Sequence, residues 1–189
     1  MPSTFDQNIL PAFDSIKDDD ETILWVGKPE YKPYILLVAL GALIPIAFGI
    51  FILSMALEHP EVMLFLMAFG AIGVGVGMIV WQHWGYSNVC YAYSNKRVLI
   101  RQGFIGTDFV TLDYDKIIDV SVNVSIIERY FNVGTVRFFS GKTESSKNGT
   151  HDIYDKWQCI GSPYEVFKKV KQITTEMKKD VHYPNKLRP

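Results

Sequence analysis

The chain has 189 residues, 48% of them hydrophobic and 21% charged, with a formal net charge of −1 and two cysteines. That composition and a mean hydropathy of +0.09 exclude a wholly disordered chain, a disulfide-stapled miniprotein and a large multidomain enzyme, leaving room for one modest water-soluble domain. The charge is uneven: residues 1–33 carry three Lys against seven acids and residues 58–61 two acids and no base, whereas residues 82–189 carry 16 Lys or Arg against 11 acids.

That basic excess is too small for a nucleic-acid-binding surface, so no nucleic acid is expected as a partner. It suits a domain held near an anionic membrane, though a mixed-charge solvated surface is the simpler reading. Residues 1–33 read as an acidic N-terminal cytoplasmic segment. Its run Asp18-Asp19-Asp20-Glu21 lacks the alternating ligands and glycine of a calcium loop and reads as a solvated lead into a strand, so no metal is expected.

Residues 34–57 and 62–81 contain no Asp, Glu, Lys, Arg or His. As helices they span about 36 Å and about 30 Å, enough to cross a bilayer. Only Glu58-His59-Pro60-Glu61 separates them, which predicts a transmembrane hairpin with an external turn at 58–61. Small residues recur at helical spacing, and Gly41, Gly49, Gly70, Gly73 and Gly77 are the candidate helix-packing positions. They suit either a dimerisation face or the packing of the two spans on each other. Pro45 is expected to bend the first helix.

Tyr31 and Tyr34 before the first span, and Trp81, Trp84 and Tyr86 at the end of the second, place aromatic rings at one membrane interface. Lys28, Lys32, Lys96 and Arg97 flank the spans while the turn has no base, which predicts a two-span cell-membrane protein with both termini cytoplasmic.

From residue 88 the text becomes β-rich. Short strands are expected at 89–93, 98–102, 108–112, 117–124, 135–139 and 153–160, separated by turn residues such as Ser94-Asn95, Gly103, Gly134 and Gly141. In 117–124 the alternation of Ile118, Val120, Val122 and Val124 with polar residues marks one buried face. Several short strands imply an antiparallel barrel or sandwich. Ser162-Pro163-Tyr164-Glu165 has the form of a capping box opening a final helix, and Val166, Phe167, Val170, Ile173 and Met177 give that helix one apolar stripe. The domain is therefore expected over 88–180, with a tail at 181–189.

Tyr91-x-x-Ser94-Asn95-x-Arg97-Val98-Leu99-Ile100, Leu112-x-x-x-Lys116-Ile117 and Ser125-Ile126-Ile127-Glu128-Arg129-Tyr130-Phe131-x-x-Gly134-Thr135-Val136 resemble the bacterial pleckstrin-homology family of membrane proteins. Trp25 and Pro29 before the first span fit the same layout. The resemblance implies a transmembrane hairpin and a seven-stranded, strongly bent antiparallel PH-like barrel capped by a C-terminal helix, and no known reaction. Eukaryotic phosphoinositide-binding relatives use a long basic first hairpin loop. Ser94-Asn95-Lys96 is read here as that loop and is too tight to form such a pocket. The helix also lacks their tryptophan, with Phe167 the nearest substitute.

No Walker loop, GxSxG elbow, HExxH helix or CxxC pair occurs, so no catalytic residue and no cofactor is expected. Cys90 and Cys159 read as reduced, partly buried thiols, and the four His lie apart at 59, 83, 151 and 182. The expectation is a non-enzymatic membrane-anchored interaction or assembly module, binding a protein partner or further copies of itself. The alternatives are an anionic-lipid sensor using Lys96, Arg97, Lys168, Lys169 and Lys171, or an accessory subunit of a membrane transporter or enzyme. Lys178 and Lys179 extend the basic face of the last helix, which also suits a helix C-terminus.

Overall fold

A computed structural model describes residues 10–104, 106–146 and 149–182. The side chains of Lys179 and His182 and the 183–189 part of the tail lie outside the described residues. The chain forms two compact units, one from the residues up to Glu30 together with those from Val89 on, the other Tyr31–Asn88.

The helical unit consists of α1, Tyr31–Glu58, and α2, Val62–Tyr86. Both are long and apolar enough to cross a membrane. Only 17% and 11% of their most apolar stretches are buried, where the core helix of a water-soluble protein would be mostly covered. The exposed side chains include Ile44, Phe51, Leu57, Val62 and Leu66, a surface suited to lipid. α1 continues through Pro45 without a break.

The helices meet along a seam of small residues. Ala42, Gly49 and Ala56 are buried on α1, and Ala68 and Gly75 on α2. A Cβ on Gly49 would lie 2.6 Å from Ile72 and 2.8 Å from the Ala68 carbonyl, and one on Gly75 would lie 2.5 Å from Ile46 and 2.9 Å from the Ala42 carbonyl. Of the five expected packing glycines only Gly49 is in this seam; Gly41, Gly70, Gly73 and Gly77 have nothing beside them within 4 Å. The seam repeats every seven residues, the period at which two nearly antiparallel helices keep one face together, and spacings of three or four alone do not pick it out. At the open end of the hairpin Tyr31 Oη is 2.9 Å from His83 Nδ1, and the Tyr31 and Tyr34 rings pack on Tyr86 with centroids 5.0 and 5.7 Å apart.

The β-rich unit has seven strands among the described residues, in two antiparallel sheets ordered β1-β2-β3-β4 and β5-β6-β7. They are β1 Ile23–Gly27, β2 Cys90–Ser94, β3 Arg97–Gln102, β4 Asp108–Asp113, β5 Asp119–Asn123, β6 Val133–Ser146 and β7 Gly149–Gly161. A short helix α3, Ile126–Tyr130, links β5 to β6, and α4, Pro163–His182, follows β7. The fold is the PH-like one expected: mainly β, with a C-terminal helix.

β1 pairs with β2 from Ile23 opposite Ser94 to Gly27 opposite Tyr91. The stretch read as an acidic lead therefore supplies an edge strand, and the PH-like unit is not confined to 88–180. The connection between the first two strands is the whole α1–α2 hairpin, and Ser94-Asn95-Lys96 turns instead between β2 and β3. β2 is buried along its entire length rather than on alternate residues. One face meets the N-terminal segment, where Phe13 packs with Val26, Cys90, Ala92 and Leu99, and the other meets aromatic rings described below. Covering both faces removes the alternation that marks a half-exposed strand.

α4 buries Val166, Val170 and Thr174 and packs on the Tyr114–Lys116 turn, β5 and β6. Ser162 does not act as the extended cap its sequence suggests: its φ is 47°, and its carbonyl accepts the N–H groups of Glu165 and Val166. The reciprocal capping box stands at α3, where the Glu128 N–H donates to Ser125 Oγ at 3.3 Å and the Ser125 N–H to Glu128 Oε2 at 2.8 Å.

Candidate interaction site

The five basic residues expected to face lipid separate into two groups. Lys96 and Arg97 stand in the β2–β3 turn, at the end of the first sheet opposite to Gly27, where the chain leaves for the hairpin. Both are engaged by the N-terminal acids. Arg97 Nη2 donates to Glu21 Oε2 at 2.7 Å and its Nε to Oε1 at 3.1 Å, while Ser94 Oγ donates to the same Oε1 at 2.6 Å. Lys96 pairs with Asp18 at 3.4 Å and also with Asp20.

Glu21 is 2% exposed. Burial alone would raise its carboxyl, but the hydrogen bonds from Arg97, from Ser94 and from the Asp18 N–H outweigh that and hold it at about 2. The ion is thus kept charged inside the protein. Asn95 completes the fastening, accepting the Thr22 N–H on Oδ1 at 2.9 Å and donating its own N–H to the Thr22 carbonyl at 3.0 Å. Ser94, Asn95 and Arg97, prominent in the sequence motif, are a clasp for the segment before β1. The Asp18–Glu21 run is the other half of that clasp, and among the described residues no cluster of His, Cys, Asp or Glu is arranged for a metal.

Lys168, Lys169 and Lys171 lie on exposed positions of α4. Lys168 and Lys169 make no ion pair among the described residues, and Lys171 sits 5.2 Å over the Phe167 ring. With Trp25, Tyr93, Val166 and Gln172, the first two lysines line a cleft of about 300 Å³ between the β1–β2 edge and the helix. Ser162 and Glu165 close one side. A second depression continues along the helix past Phe167 and Lys171 to Glu176, sharing Lys168 and Gln172 with the first. The two adjoining depressions together follow about 16 Å of helix, from Glu165 to Glu176, at 1.5 Å per residue.

The floor of the cleft belongs to an aromatic stack. Trp25 lies against Tyr93 and Trp157 with centroids 5.8 and 5.3 Å apart, and Trp157, fully buried, also meets Phe138 at 4.9 Å. Burial raises the Tyr93 phenol above its ordinary value, so it stays neutral. Trp25 is 6% exposed, and its indole N–H has no acceptor among the described residues. Trp157, on β7, does the core work for which Phe167 was the sequence candidate, while Phe167 itself is only partly buried.

Cys90 and Cys159 are free and buried. Burial, with the nearby Glu128 charge, pushes the Cys159 thiol up to about 12, which suppresses the thiolate. An apolar aromatic floor, a cationic rim and an elongated outline can hold an extended amphipathic ligand carrying negative charge. Trp25 and Tyr93 were not candidates because the cleft is assembled from three segments distant in sequence. The signal that existed was Trp25 itself, a large ring in the short apolar stretch of β1 and outside the two long apolar runs.

A family model described as Bacterial PH domain matches residues 23–171. The match starts at β1 and runs through both long helices into α4. No match is found among curated proteins or among solved structures.

Proposed function

The chain belongs to the bacterial PH-domain family, and we propose that it is a non-enzymatic interaction module, anchored by two spans at the cytoplasmic face, whose α4 groove docks an acidic segment of a protein partner. The observation that carries this reading is the pairing of an apolar floor, Trp25, Tyr93 and Val166, with Lys168 and Lys169, which outnumber the one acid of the lining, Glu165, and make no ion pair with it among the described residues. Charge complementarity selects an acidic occupant, and a groove that continues past Lys171 favours an extended segment over a compact metabolite. Tethering raises the local concentration of the groove, so modest affinity suffices.

Because β1 and β2 pair directly, the chain that leaves after Gly27 returns to the same side, which fits two crossings. The cytoplasmic assignment rests on the bases that flank the two helices, Lys28 and Lys32 before the first and Lys96 and Arg97 after the second, against a turn without a base.

The test is a photo-crosslinking residue at Gln172 of the full chain in its native membranes. The expected adduct is a peptide rich in Asp or Glu with an apolar anchor, lost in the double variant Lys168→Glu, Lys169→Glu. Adducts to phospholipid alone would favour the lipid-sensing alternative through Lys168, Lys169 and Lys171. Adducts that survive charge reversal would remove the proposal.

A further inference from the structure

Ile126 and Tyr130 are 91% and 82% exposed, the two most exposed large apolar side chains described in the β-rich unit. They stand four positions apart on α3, hence on one face, with exposed Arg129 beside them. Their exposure is built in. The capping box turns Glu128 inward, 4% exposed, where it also accepts the Thr135 hydroxyl at 2.6 Å, so the helix is fixed with its other side outward.

The place of α3 says what that side meets. The Glu30 N–H donates to the Cys159 carbonyl at 2.8 Å, and the next residue, Ile160, pairs with Gly134. A Cβ on Gly134 would lie 2.8 Å from Pro163 and 2.9 Å from Val124, and Val124 adjoins Ser125, the cap of α3. Glu30, α3 and the start of α4, with Tyr164 60% exposed, therefore share one end of the second sheet. Glu30 is one peptide bond from Tyr31, where α1 begins.

We infer that Ile126 and Tyr130 insert into the headgroup layer of the bilayer that the hairpin crosses, with Arg129 at the lipid phosphates. An aliphatic chain, a phenol and a guanidinium are the groups suited to that layer, where each keeps its apolar part in lipid and its polar end in water. The covalent link argues for the bilayer over a soluble partner: Glu30, at the same end of the sheet as α3, is joined by one peptide bond to the first residue of an apolar helix long enough to cross a membrane. The inference depends on the hairpin crossing the membrane and is independent of the α4 groove. It gives the unit a second point of attachment, which limits its rotation about the spans.

The test uses three single variants of the full chain in proteoliposomes, Ile126→Cys, Tyr130→Cys and Asp115→Cys, each labelled with an environment-sensitive fluorophore. Asp115 is exposed on the Tyr114–Lys116 turn, which follows the end of β4 paired with Arg97. Native Cys90 and Cys159 are buried, so their resistance to the label also reports that each variant is folded. Labels at 126 and 130 are expected to emit at shorter wavelength than at 115, to be quenched by nitroxide-bearing lipids, and to be protected several-fold from aqueous iodide. Iodide quenching at 126 and 130 equal to that at 115 overturns the inference. So does protection without lipid quenching, which would place a second copy or another protein on α3.

Discussion

Arg97 grips Glu21 through two nitrogens, Nη2 on one carboxylate oxygen at 2.7 Å and Nε on the other at 3.1 Å, across 76 positions of sequence that include the whole of α1 and α2. This contact fastens the segment before β1, which β1–β2 pairing and the packing of Phe13 also hold to the sheet. Glu21→Gln leaves the guanidinium, whose side chain is 18% exposed, without its main counter-ion. The expected loss is about 3 kcal/mol of unfolding free energy, read by urea titration of the full chain in micelles. Arg97→Lys keeps the charge but not the fork and should fall between. An unchanged midpoint in both variants would remove the clasp.

The same pair sets an acid limit. The Glu21 carboxyl stands at about 2 when folded against an ordinary value of 4.5. A depressed folded value means stability that is fully present above pH 4.5 and lost as the pH falls towards 2. The difference is worth on the order of 3 kcal/mol. Unfolding free energies measured from pH 6 to pH 2 should show this loss in the native protein and much less of it in Glu21→Gln.

At the other end of the scale the Cys159 thiol, raised to about 12, should resist alkylation at pH 8. A raised folded value gives stability that is present below the ordinary thiol value and fades as the pH climbs towards 12. Mass spectrometry after iodoacetamide treatment checks the first part, and rapid modification of the folded protein would contradict it.

Within the hairpin the seam should discriminate between glycines. Gly49→Val and Gly75→Val place carbon atoms where Ile72 and Ile46 already sit, and the overpacking should cost about 1–3 kcal/mol. Gly73→Val, with open space around it, should be close to neutral within a single chain. Thermal unfolding in detergent separates the two outcomes. A large loss in Gly73→Val accompanied by loss of a dimer would instead assign the open glycines to contact between copies.

Much of the fold was legible because its signals are local. Forty-four positions without Asp, Glu, Lys, Arg or His announce two apolar helices wherever they occur, and the strands from β2 to β5 are short runs close to where the sequence puts them. In contrast, β6 and β7 run to Ser146 and from Gly149, well beyond the 135–139 and 153–160 expected, because their outer halves are polar and carry no apolar signal. β1 was not legible as a strand of the domain, because Ile23-Leu24-Trp25-Val26-Gly27 has no alternation and its partner lies beyond both spans. Lys96 and Arg97 look like free cations until Asp18, Asp20 and Glu21 are brought beside them. Ser125-x-x-Glu128 satisfies the cap pattern as well as Ser162-x-x-Glu165 does, and only the backbone angle at Ser162 tells them apart. The α4 lysines were visible as a basic face, but their cleft required Trp25 and Tyr93, which the sequence holds far away.

The insertion of α1 and α2 between paired strands also bears on how the protein is made. β1 emerges from the ribosome first, and at about 5–20 residues per second its partner β2 follows roughly 3–12 seconds later, after both spans have been synthesised. During that interval Ile23–Gly27 is a solitary ribbon with unanswered amides, prone to pair with a neighbouring nascent chain. Completion of the sheet must therefore wait for both long helices, and a substitution that delays the chain between Gly27 and Cys90 should surface as aggregated product.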